Sequence, residues 1–368
     1  MRVLIVVEQL RRRAPGGIGT YARGLLQGLG RIGAGPAGPL GDASGVASGV
    51  EVTLLASRPA RGADPLASYG LPVVSSHLPG ALLTRAWDTG LLGAPDGYDV
   101  VHAVSLAVPR SSGPAVATVH DLAWRQVPDA FPPRGRRWHE AALERALRRT
   151  RLLLAPSAAT AEALRDAGAP PDRVAVFDEG ADHLPPADDA ATRDLLDRLG
   201  VESPYLLSVG TNEPRKNLQR LCDAYDRARS RLPGPWPMVV VGPHGWGGAL
   251  RPHAGVVLAG EVSESVLAGL YQRCRCLAYV PLHEGFGLPA VEAMAAGAPV
   301  VASPMPSTQG AALEVDPLDV EGIADGLVRA AVDGSQREDL VAEGRRRVDK
   351  LTWESAARRH VELWEQLR

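Results

Sequence analysis

The stretch LAYVPLHEGFGLPAVEAMAAGAPVVAS, Leu277–Ser303, decides how the second half of the chain folds. Its short apolar run Leu277–Leu282 predicts a buried strand, which a turn with two glycines follows. Proline is favoured at the first position of a helix and glycine directly after the last, so Pro289 and Gly297 predict the two ends of a helix. The apolar residues after Pro299 predict the next strand. Strand, turn, helix and strand in this order indicate an α/β fold.

The turn inside this stretch predicts a phosphate site. Glycines just ahead of a helix leave backbone N–H groups that point at whatever lies above the turn, and the helix dipole favours an anion there. One carboxylate, Glu284, precedes the turn, and a second, Glu292, lies one turn inside the helix. Both could accept hydrogen bonds from the hydroxyl groups of a sugar or a ribose. The amides expected to bind the phosphate belong to Gly285, Phe286, Gly287 and Leu288.

The composition is that of an ordinary globular protein. A length of 368 residues predicts two domains, and 45% apolar residues with a net charge of −2 argue against a nucleic-acid-binding protein. The three cysteines have no metal-like spacing and fit structural thiols in a reducing compartment. The N-terminus MRVLIVVEQL predicts a strand rather than a signal peptide, and no apolar run reaches membrane-spanning length. We therefore expect a cytoplasmic protein.

A second anion site is predicted after the strand Tyr205–Val209, in the segment GTNEPRKN. Arg215 could bind a diphosphate through its fork of donors, and Lys216 could bind it as a point charge. Asn217 is expected to cap the helix that follows. The candidate site also includes the first two residues of the segment, Gly210 and Thr211.

In the first half of the chain, a histidine is predicted at the edge of the sheet where ligands bind. The strand Ala115–Val119 ends in His120-Asp121-Leu122, and open α/β sheets bind ligands at the carboxyl ends of their strands. Histidine can donate or accept a hydrogen bond near neutral pH, which makes His120 a candidate site residue.

The segment Gly17–Ala22 matches the pattern GxGxxA of dinucleotide-binding proteins, but its context argues against that function. About nine residues separate the glycines from the strand Val3–Val7, and the next strand is followed by Ser57 and Arg58 rather than by an acidic residue. We expect a glycine-rich loop ahead of a helix instead. A second loop, at the surface and disordered, is expected over Gly33–Gly49 because Gly, Pro, Ala and Ser dominate it.

These motifs together resemble the family-4 retaining glycosyltransferases of GT-B fold, the glycosyl transferases group 1. The resemblance covers nearly the whole chain and is carried by the Glu-x7-Glu pattern with GFGLP between its ends, by GTNEPRKN and by the His-Asp-Leu triplet. It implies two Rossmann-like domains that face each other across a cleft. The acceptor-side domain would comprise residues 1–183 and the donor-binding domain residues 184–352, and a C-terminal helix, residues 353–368, would cross back to the first domain.

The resemblance also implies what the candidate residues do. In the family, the first glutamate of the pattern holds the donor sugar and the second holds the ribose, which gives these roles to Glu284 and Glu292. His120 would lie beside the donor sugar, and Arg215 and Lys216 would contact the pyrophosphate. Some relatives carry an arginine where this chain has threonine. The remaining residues implied are Thr211 and Gly210 near the phosphates, Gly17 and Gly19 facing the donor phosphates or the acceptor, and Val262 bordering the base pocket.

The reaction implied by the resemblance is transfer of a sugar from a nucleotide-diphosphate sugar to a hydroxyl acceptor, with retention through front-face attack. The acceptor would be a sugar, a lipid-linked molecule or a small molecule. No Asp-x-Asp occurs in the chain, so we expect neither a metal bridging the diphosphate nor another cofactor. Two alternatives stay open: a nucleotide-sugar epimerase of the same fold, and a non-catalytic sugar-nucleotide-binding protein.

Two further segments carry expectations. Arg134–Arg151 is a basic amphipathic helix that could touch anionic lipid at the inner face of the membrane, although a solvated basic face over a buried stripe is favoured. The loop Pro304–Gly310 is shorter than in relatives, so the helix after it is expected to be shortened or lost.

Overall fold

The structure, a computed structural model, describes residues 1–12, 15–33, 49–60, 62–202, 204–234 and 236–368. Two compact units divide the chain. The first comprises Met1–Leu122, Pro132–His183 and Leu351–Arg368, and the second comprises Ala123–Phe131 and Leu184–Lys350. All but the two ends of the predicted loop Gly33–Gly49 lies outside the described residues.

Strands and helices are interspersed along the described chain. The strands are β1 (Arg2–Val6), β2 (Glu51–Ala56), β3 (Val73–Ser75), β4 (Val100–Ala103), β5 (Ala115–Thr118), β6 (Leu152–Ala155), β7 (Val174–Val176), β8 (Leu206–Val209), β9 (Met238–Val241), β10 (Val256–Gly260), β11 (Cys276–Tyr279), β12 (Val300–Ala302) and β13 (Leu313–Glu314). The helices are α1 (Gly16–Arg31), α2 (Gly80–Thr89), α3 (Ala123–Gln126), α4 (Pro133–Arg149), α5 (Ala158–Asp166), α6 (Asp189–Arg198), α7 (Leu218–Arg229), α8 (Glu264–Arg273), α9 (Leu288–Ala295), α10 (Val320–Val332), α11 (Gly334–Val348) and α12 (Trp353–Glu365).

Each unit has its own parallel sheet. The strand order is β3-β2-β1-β4-β5-β6-β7 in the first unit and β10-β9-β8-β11-β12-β13 in the second. Most central strands consist almost entirely of Val, Leu, Ile and Ala and are buried, as expected for strands that helices cover on both faces. The predicted fold class, two Rossmann-like α/β domains, is therefore confirmed.

The direction in which the chain adds strands to the second sheet reverses at β8. From β8 the chain continues outward through β9 to β10, and it then returns to add β11, β12 and β13 on the other side of β8. In an open α/β sheet, the crevice beyond the carboxyl ends of the strands at such a switch point binds ligands. The loops that follow β8 and β11 lie there, and these two loops carry most of the predicted site.

The C-terminal helix α12 packs in the first unit, against α1. Glycines allow the close approach, because a Cβ atom at Gly24 would overlap the indole of Trp353, and one at Gly28 would overlap the Trp353 carbonyl. The backbone before α12 is also attached to this unit, since Ala181 N donates to Leu351 O at 2.9 Å. The predicted return of the last helix to the first domain agrees with this packing.

The segment Ala123–Phe131 belongs to the second unit rather than to the first, where the predicted limits 1–183 would put it. The reason is a contact with the loop after β9. Trp246 Nε1 donates to Ala130 O at 3.0 Å, and the rings of Phe131 and Trp246 lie 6.1 Å apart. Sequence patterns do not reveal such a contact between distant segments.

The predicted glycine-rich loop before α1 is wrong where it can be judged. Gly17 and Gly19 lie in the first turn of α1, which begins at Gly16 and has Pro15 at its N-cap. Gly19 N donates to Pro15 O at 3.2 Å and so closes this turn. Proline favours a helix start, and the apolar stripe that begins at Ile18 extends the helix toward it.

The helix that follows the loop Pro304–Gly310 is α10, with 13 residues, and the expectation that it is shorter than in relatives stays a prediction. Between β12 and β13 every residue is described, and the chain there forms turns rather than a helix. The three cysteines, Cys222, Cys274 and Cys276, are buried free thiols, as expected for structural residues.

Candidate active site at the switch point of the second sheet

The loops after β8 and β11 are held together by their backbones. Leu282 N donates to Arg215 O at 2.8 Å, which aligns the segment 210–217 with the segment 280–287. Arg215 Nη1 reinforces the alignment by donating to His283 O at 3.0 Å. The two motifs that sequence analysis proposed as anion sites are therefore neighbours.

Four charged side chains and a tyrosine form a compact cluster at this junction. Glu284 Oε1 accepts from Arg215 Nη1 at 2.7 Å, from Lys216 Nζ at 2.5 Å and from the Tyr279 hydroxyl at 2.9 Å. Lys216 Nζ also donates to the Tyr279 oxygen at 2.7 Å, and Arg215 Nη2 donates to Glu213 Oε1 at 2.7 Å. Predicted residues Arg215, Lys216 and Glu284 are thus in direct contact.

The two glutamates of this cluster differ in acidity. Burial by itself would raise the pKa of Glu284, but the charges of Arg215 and Lys216 and their hydrogen bonds lower it to about 2. Burial raises the pKa of Glu213 above its usual value, because the two cations compensate it less completely. Glu284 is therefore a carboxylate at neutral pH and is the main anionic partner of both cations.

The turn Gly285–Leu288 presents backbone donors at the start of α9. Gly287 has a φ of 106°, a left-handed conformation that favours glycine, and it occupies the N-cap position of α9. Within the part of the chain that is described, the N–H groups of Phe286, Gly287 and Leu288 have no assigned acceptor. Three amides at a helix start form a suitable site for an anion.

The short loop after β12 supports this turn. Ser307 N donates to Phe286 O, and Ser307 Oγ donates to Gly287 O, both at 3.1 Å. A Cβ atom at Gly287 would overlap the sulfur of Met305. Arg347 Nε on α11 also fixes the loop, because it donates to Ser307 O at 2.7 Å. The loop Pro304–Gly310 therefore packs directly against the candidate phosphate turn.

Glu292 lies on α9, inside the unit. Its side chain is buried, and its Oε2 accepts a hydrogen bond of 2.8 Å from the hydroxyl of Tyr271 on α8. Burial and the neighbouring Glu292 raise the pKa of Tyr271, so this tyrosine keeps its proton and stays a donor. The ribose role that the resemblance implies for Glu292 stays a prediction.

The predicted capping role of Asn217 is wrong. Asn217 occupies the N-cap position of α7, but its side chain makes no capping bond, because its backbone adopts a left-handed conformation with a φ of 59°. Its Nδ2 instead donates to Val280 O at 3.0 Å and to Pro317 O at 2.7 Å. Asparagine tolerates this conformation better than most residues, and here it connects three loops.

The remaining predicted donor-side residues occupy three places. Gly210 and Thr211 follow β8 directly, and the side-chain stem of Lys216 packs against Gly210. Val262, half-buried, lies in the turn between β10 and α8. Gly17 and Gly19 belong to the first unit, and the structure gives them no contact that tests a donor role.

His120 lies two residues beyond β5 in the first unit. Its Nε2 donates to Val104 O at 2.9 Å, and its Nδ1 lies 3.4 Å from Glu179 Oε1. The resemblance implies a place beside the donor sugar for this histidine, and that role stays a prediction.

The predicted basic helix, α4, uses part of its charge for packing. Arg145 and Trp138 both donate to the carboxylate of Asp88 at the end of α2, at 2.6 Å and 3.0 Å. Arg149 donates to Trp87 O at 2.7 Å. These contacts agree with the favoured interpretation of a solvated helix over a packed stripe. In the ranges that are described, no helix has both the length and the apolar character needed to cross a bilayer.

Several residues of the candidate site were not predicted from the sequence. Glu213 is part of the quoted segment GTNEPRKN, two positions before Arg215, and that spacing could have suggested an ion pair. Tyr279 resembles an ordinary core residue of a buried strand, because the sequence does not show that its hydroxyl reaches Lys216. Tyr271 is hidden in the same way on α8.

Comparisons with known proteins agree with this geometry. A family model described as Glycosyltransferase Family 4 matches residues 45–183, and one described as Glycosyl transferases group 1 matches residues 203–333. The D-inositol 3-phosphate glycosyltransferase of Xylanimonas cellulosilytica is 31% identical over 338 residues, which cover 79% of this chain and 78% of that protein. The O-antigen chain mannosyltransferase B of Escherichia coli is 28% identical over 283 residues, which cover 73% of this chain and 74% of that protein.

A solved structure supports the fold. Anabaena HepE, crystallised in complex with UDP and glucose, matches with a TM-score of 0.72 and 18% identity, and the match covers 100% of both chains. Identity this low speaks for the fold alone. The 31% identical relative and the two family models lead to one conclusion: this chain belongs to the family-4, group 1 glycosyltransferases.

Proposed function

We propose that this protein is a retaining glycosyltransferase that moves a sugar from a nucleoside-diphosphate sugar to a hydroxyl acceptor without a metal ion. One observation carries the proposal. At the switch point of the second sheet, Arg215 and Lys216 contact Glu284, which directly precedes a turn whose amides lie at the start of α9 and could bind an anion. Two cations and three amides could bind a leaving diphosphate by preorganised electrostatics.

The residues suit front-face transfer better than double displacement. A double displacement needs a carboxylate that attacks the sugar, whereas Glu284 already accepts three hydrogen bonds through Oε1 and pairs with both cations. In front-face transfer the departing phosphate takes the proton of the acceptor hydroxyl. The enzyme then has to position the sugar and stabilise the phosphate, and Glu284, Arg215 and Lys216 fit these two tasks.

The names of relatives guide the choice of substrates. Mannosyltransferases are among them, and Anabaena HepE was crystallised with UDP-glucose. We therefore propose a hexosyl donor, with UDP-, GDP- and ADP-hexoses as the first panel. Sugar, lipid-linked or small-molecule hydroxyl acceptors are all compatible with this proposal. We also propose that the enzyme is cytoplasmic and that the exposed arginines of α4 contact the membrane surface.

The test is release of nucleoside diphosphate in the presence and absence of an acceptor. A transferase releases diphosphate in proportion to the transferred sugar and only when an acceptor is present. An epimerase would change the sugar without net release, and a binding protein would raise the melting temperature with the donor and turn nothing over. Product anomeric configuration, measured by NMR, decides whether the transfer retains or inverts.

Lys216→Ala provides the matched variant, with Lys350→Ala as its control. Lys216 would contact the phosphate that the donor and the free diphosphate share. Its loss should therefore lower the affinity for both molecules by roughly ten- to a hundredfold, the range of a charged hydrogen bond. Lys350 is the only other lysine of the chain and is exposed, so its replacement should change neither. Unchanged diphosphate affinity in a folded Lys216→Ala protein would refute the proposed site.

A further inference from the structure

Both ring nitrogens of His120 face oxygen atoms of the protein. Nε2 lies 2.9 Å from the carbonyl oxygen of Val104, and because a carbonyl only accepts, Nε2 carries a hydrogen. Nδ1 lies 3.4 Å from Glu179 Oε1, the oxygen of a buried carboxyl group. A neutral histidine has one N–H, whereas this arrangement offers acceptors for two.

The C-terminal helix determines where Glu179 lies. The next residue, Gly180, is so close to Trp353 that a Cβ atom would overlap the backbone nitrogen of Trp353. Trp353 N donates to Asp182 Oδ1 at 2.8 Å, which attaches the same segment to the start of α12. Glu179 therefore sits on a backbone that packing and hydrogen bonds both restrain beside the start of α12.

The other groups around His120 do not cancel the effect of Glu179 on the protonation of this histidine. The ring of Tyr21 on α1 meets the imidazole edge-on, with centroids 4.8 Å apart, and burial raises the pKa of Tyr21, so it stays neutral. Burial lowers the pKa of His102 on β4 well below its usual value, so it adds no positive charge at neutral pH. Asp121, the next residue along the chain, adds a negative charge. For His120 itself, burial would lower the pKa, but the hydrogen bond and charge of Glu179 outweigh it and raise the pKa.

We propose that Glu179 is a positioning residue that keeps His120 protonated on both ring nitrogens, so that His120 serves as a fixed cation and not as a base. The role of this protonated histidine in sugar transfer rests on the proposed function. A histidine held in this way has no lone pair for the proton of the acceptor hydroxyl. The leaving phosphate is then left to accept that proton, which fits front-face transfer.

NMR titration of His120 tests the proposal without any substrate. In the wild-type protein, both ring nitrogens should carry hydrogen at pH 6.5, and the titration midpoint should lie above that of a free histidine. Glu179→Gln should move the midpoint below that of a free histidine, and Glu179→Asp should restore part of the shift. Glu8→Gln is the matched control, because Glu8 is a buried carboxylate of the same unit that accepts from Ser57 N and does not touch His120.

Activity supplies a second readout. If Glu179 acts through the proton on His120, then kcat of Glu179→Gln should decline at a lower pH than kcat of the wild-type protein, with little change in KM and with recovery as the pH is lowered through the midpoint measured by NMR. A purely structural role would lower activity at every pH and leave the shape of the profile unchanged. A wild-type His120 whose Nδ1 lacks hydrogen at pH 6.5, or a midpoint that Glu179→Gln does not move, overturns the proposal. If the titrations behave as expected but no donor is turned over, the proposed function fails and the protonation of His120 stands.

Discussion

Glu284 is the acceptor of both cations that we propose for the diphosphate. Its Oε1 accepts from Arg215, Lys216 and Tyr279, and these contacts hold its pKa at about 2. A diphosphate that binds Arg215 and Lys216 must therefore compete with an anion of the protein itself. Exchange of one anion for the other would free Glu284 to turn toward the sugar.

Glu284→Gln tests this competition. The amide keeps the size of the side chain but removes the charge, so Arg215 and Lys216 become more available. Affinity for the bare nucleoside diphosphate should rise roughly three- to tenfold, while sugar transfer falls. Calorimetry measures the first effect and a transfer assay the second. Glu321→Gln, which removes an exposed ion pair with Arg227, should change neither. A loss of diphosphate affinity in Glu284→Gln would show that the two anions do not compete.

Gly287 is the residue at which the candidate phosphate turn tolerates no side chain. Its φ of 106° strains any other residue, and a Cβ atom would overlap the sulfur of Met305. Gly287→Ala should lower the free energy of unfolding by about 1–3 kcal/mol and abolish measurable diphosphate binding. Chemical denaturation measures stability, and calorimetry measures binding.

Gly30→Ala is the control for this prediction, since Gly30 lies in α1 and a Cβ atom there meets nothing within 4 Å. Alanine should stabilise that helix by up to about 1 kcal/mol. An equal, harmless effect at Gly287 would mean that the turn can rearrange.

Helix α12 is attached to the first sheet through a chain of hydrogen bonds with a defined direction. His360 Nδ1 donates to Ala356 O at 2.7 Å, so Nε2 is the acceptor for the Tyr21 hydroxyl at 2.8 Å. Tyr21 in turn accepts from Thr118 at 2.8 Å. Protonation of His360 at Nε2 would remove the acceptor on which this chain of bonds depends.

The protein should therefore lose stability in mild acid. Burial lowers the pKa of His360 to about 4 from a usual 6.5. Between these values the unfolded chain binds a proton that the folded chain does not, so stability falls as the pH drops from 6.5 to 4, by about 3 kcal/mol for this residue. The buried His102 shifts in the same direction and adds to the loss. Denaturant unfolding at pH 7, 5.5 and 4.5 measures it.

His360→Gln should flatten this pH dependence, because glutamine does not titrate in this range. His77→Gln, which replaces an exposed histidine of the same unit, should leave the wild-type dependence in place. If the two variants lose stability equally in acid, His360 is not the group responsible.

The whole enzyme should work without a metal ion. The chain contains no Asp-x-Asp, and Arg215, Lys216 and the amides of the turn Gly285–Leu288 supply the positive field that a metal would otherwise provide. Transfer should survive excess EDTA and gain nothing from Mg²⁺ or Mn²⁺. Activity that a chelator abolishes and that a metal restores would contradict this expectation.

Local patterns were sufficient for the elements around the candidate site and for the segments that form it. The apolar runs and the positions of Pro289 and Gly297 predict β11, α9 and β12 closely, because these signals depend on backbone preferences within a few residues. The Glu-x7-Glu pattern and the segment GTNEPRKN also locate Glu284, Glu292, Arg215 and Lys216, since each motif is contiguous in sequence.

Only the tertiary structure decided which of these residues touch. Lys216 reaches Tyr279 and Glu284 because β8 and β11 are neighbours in the sheet, although more than sixty residues separate them along the chain. The side chain of Asn217 does not cap α7, because its Nδ2 donates to carbonyl groups of two other loops and its Oδ1 accepts from Arg220. Glu179 meets His120 in the same way, across the fold. Strand order and loop packing set these contacts, and neither leaves a periodic signal in the sequence.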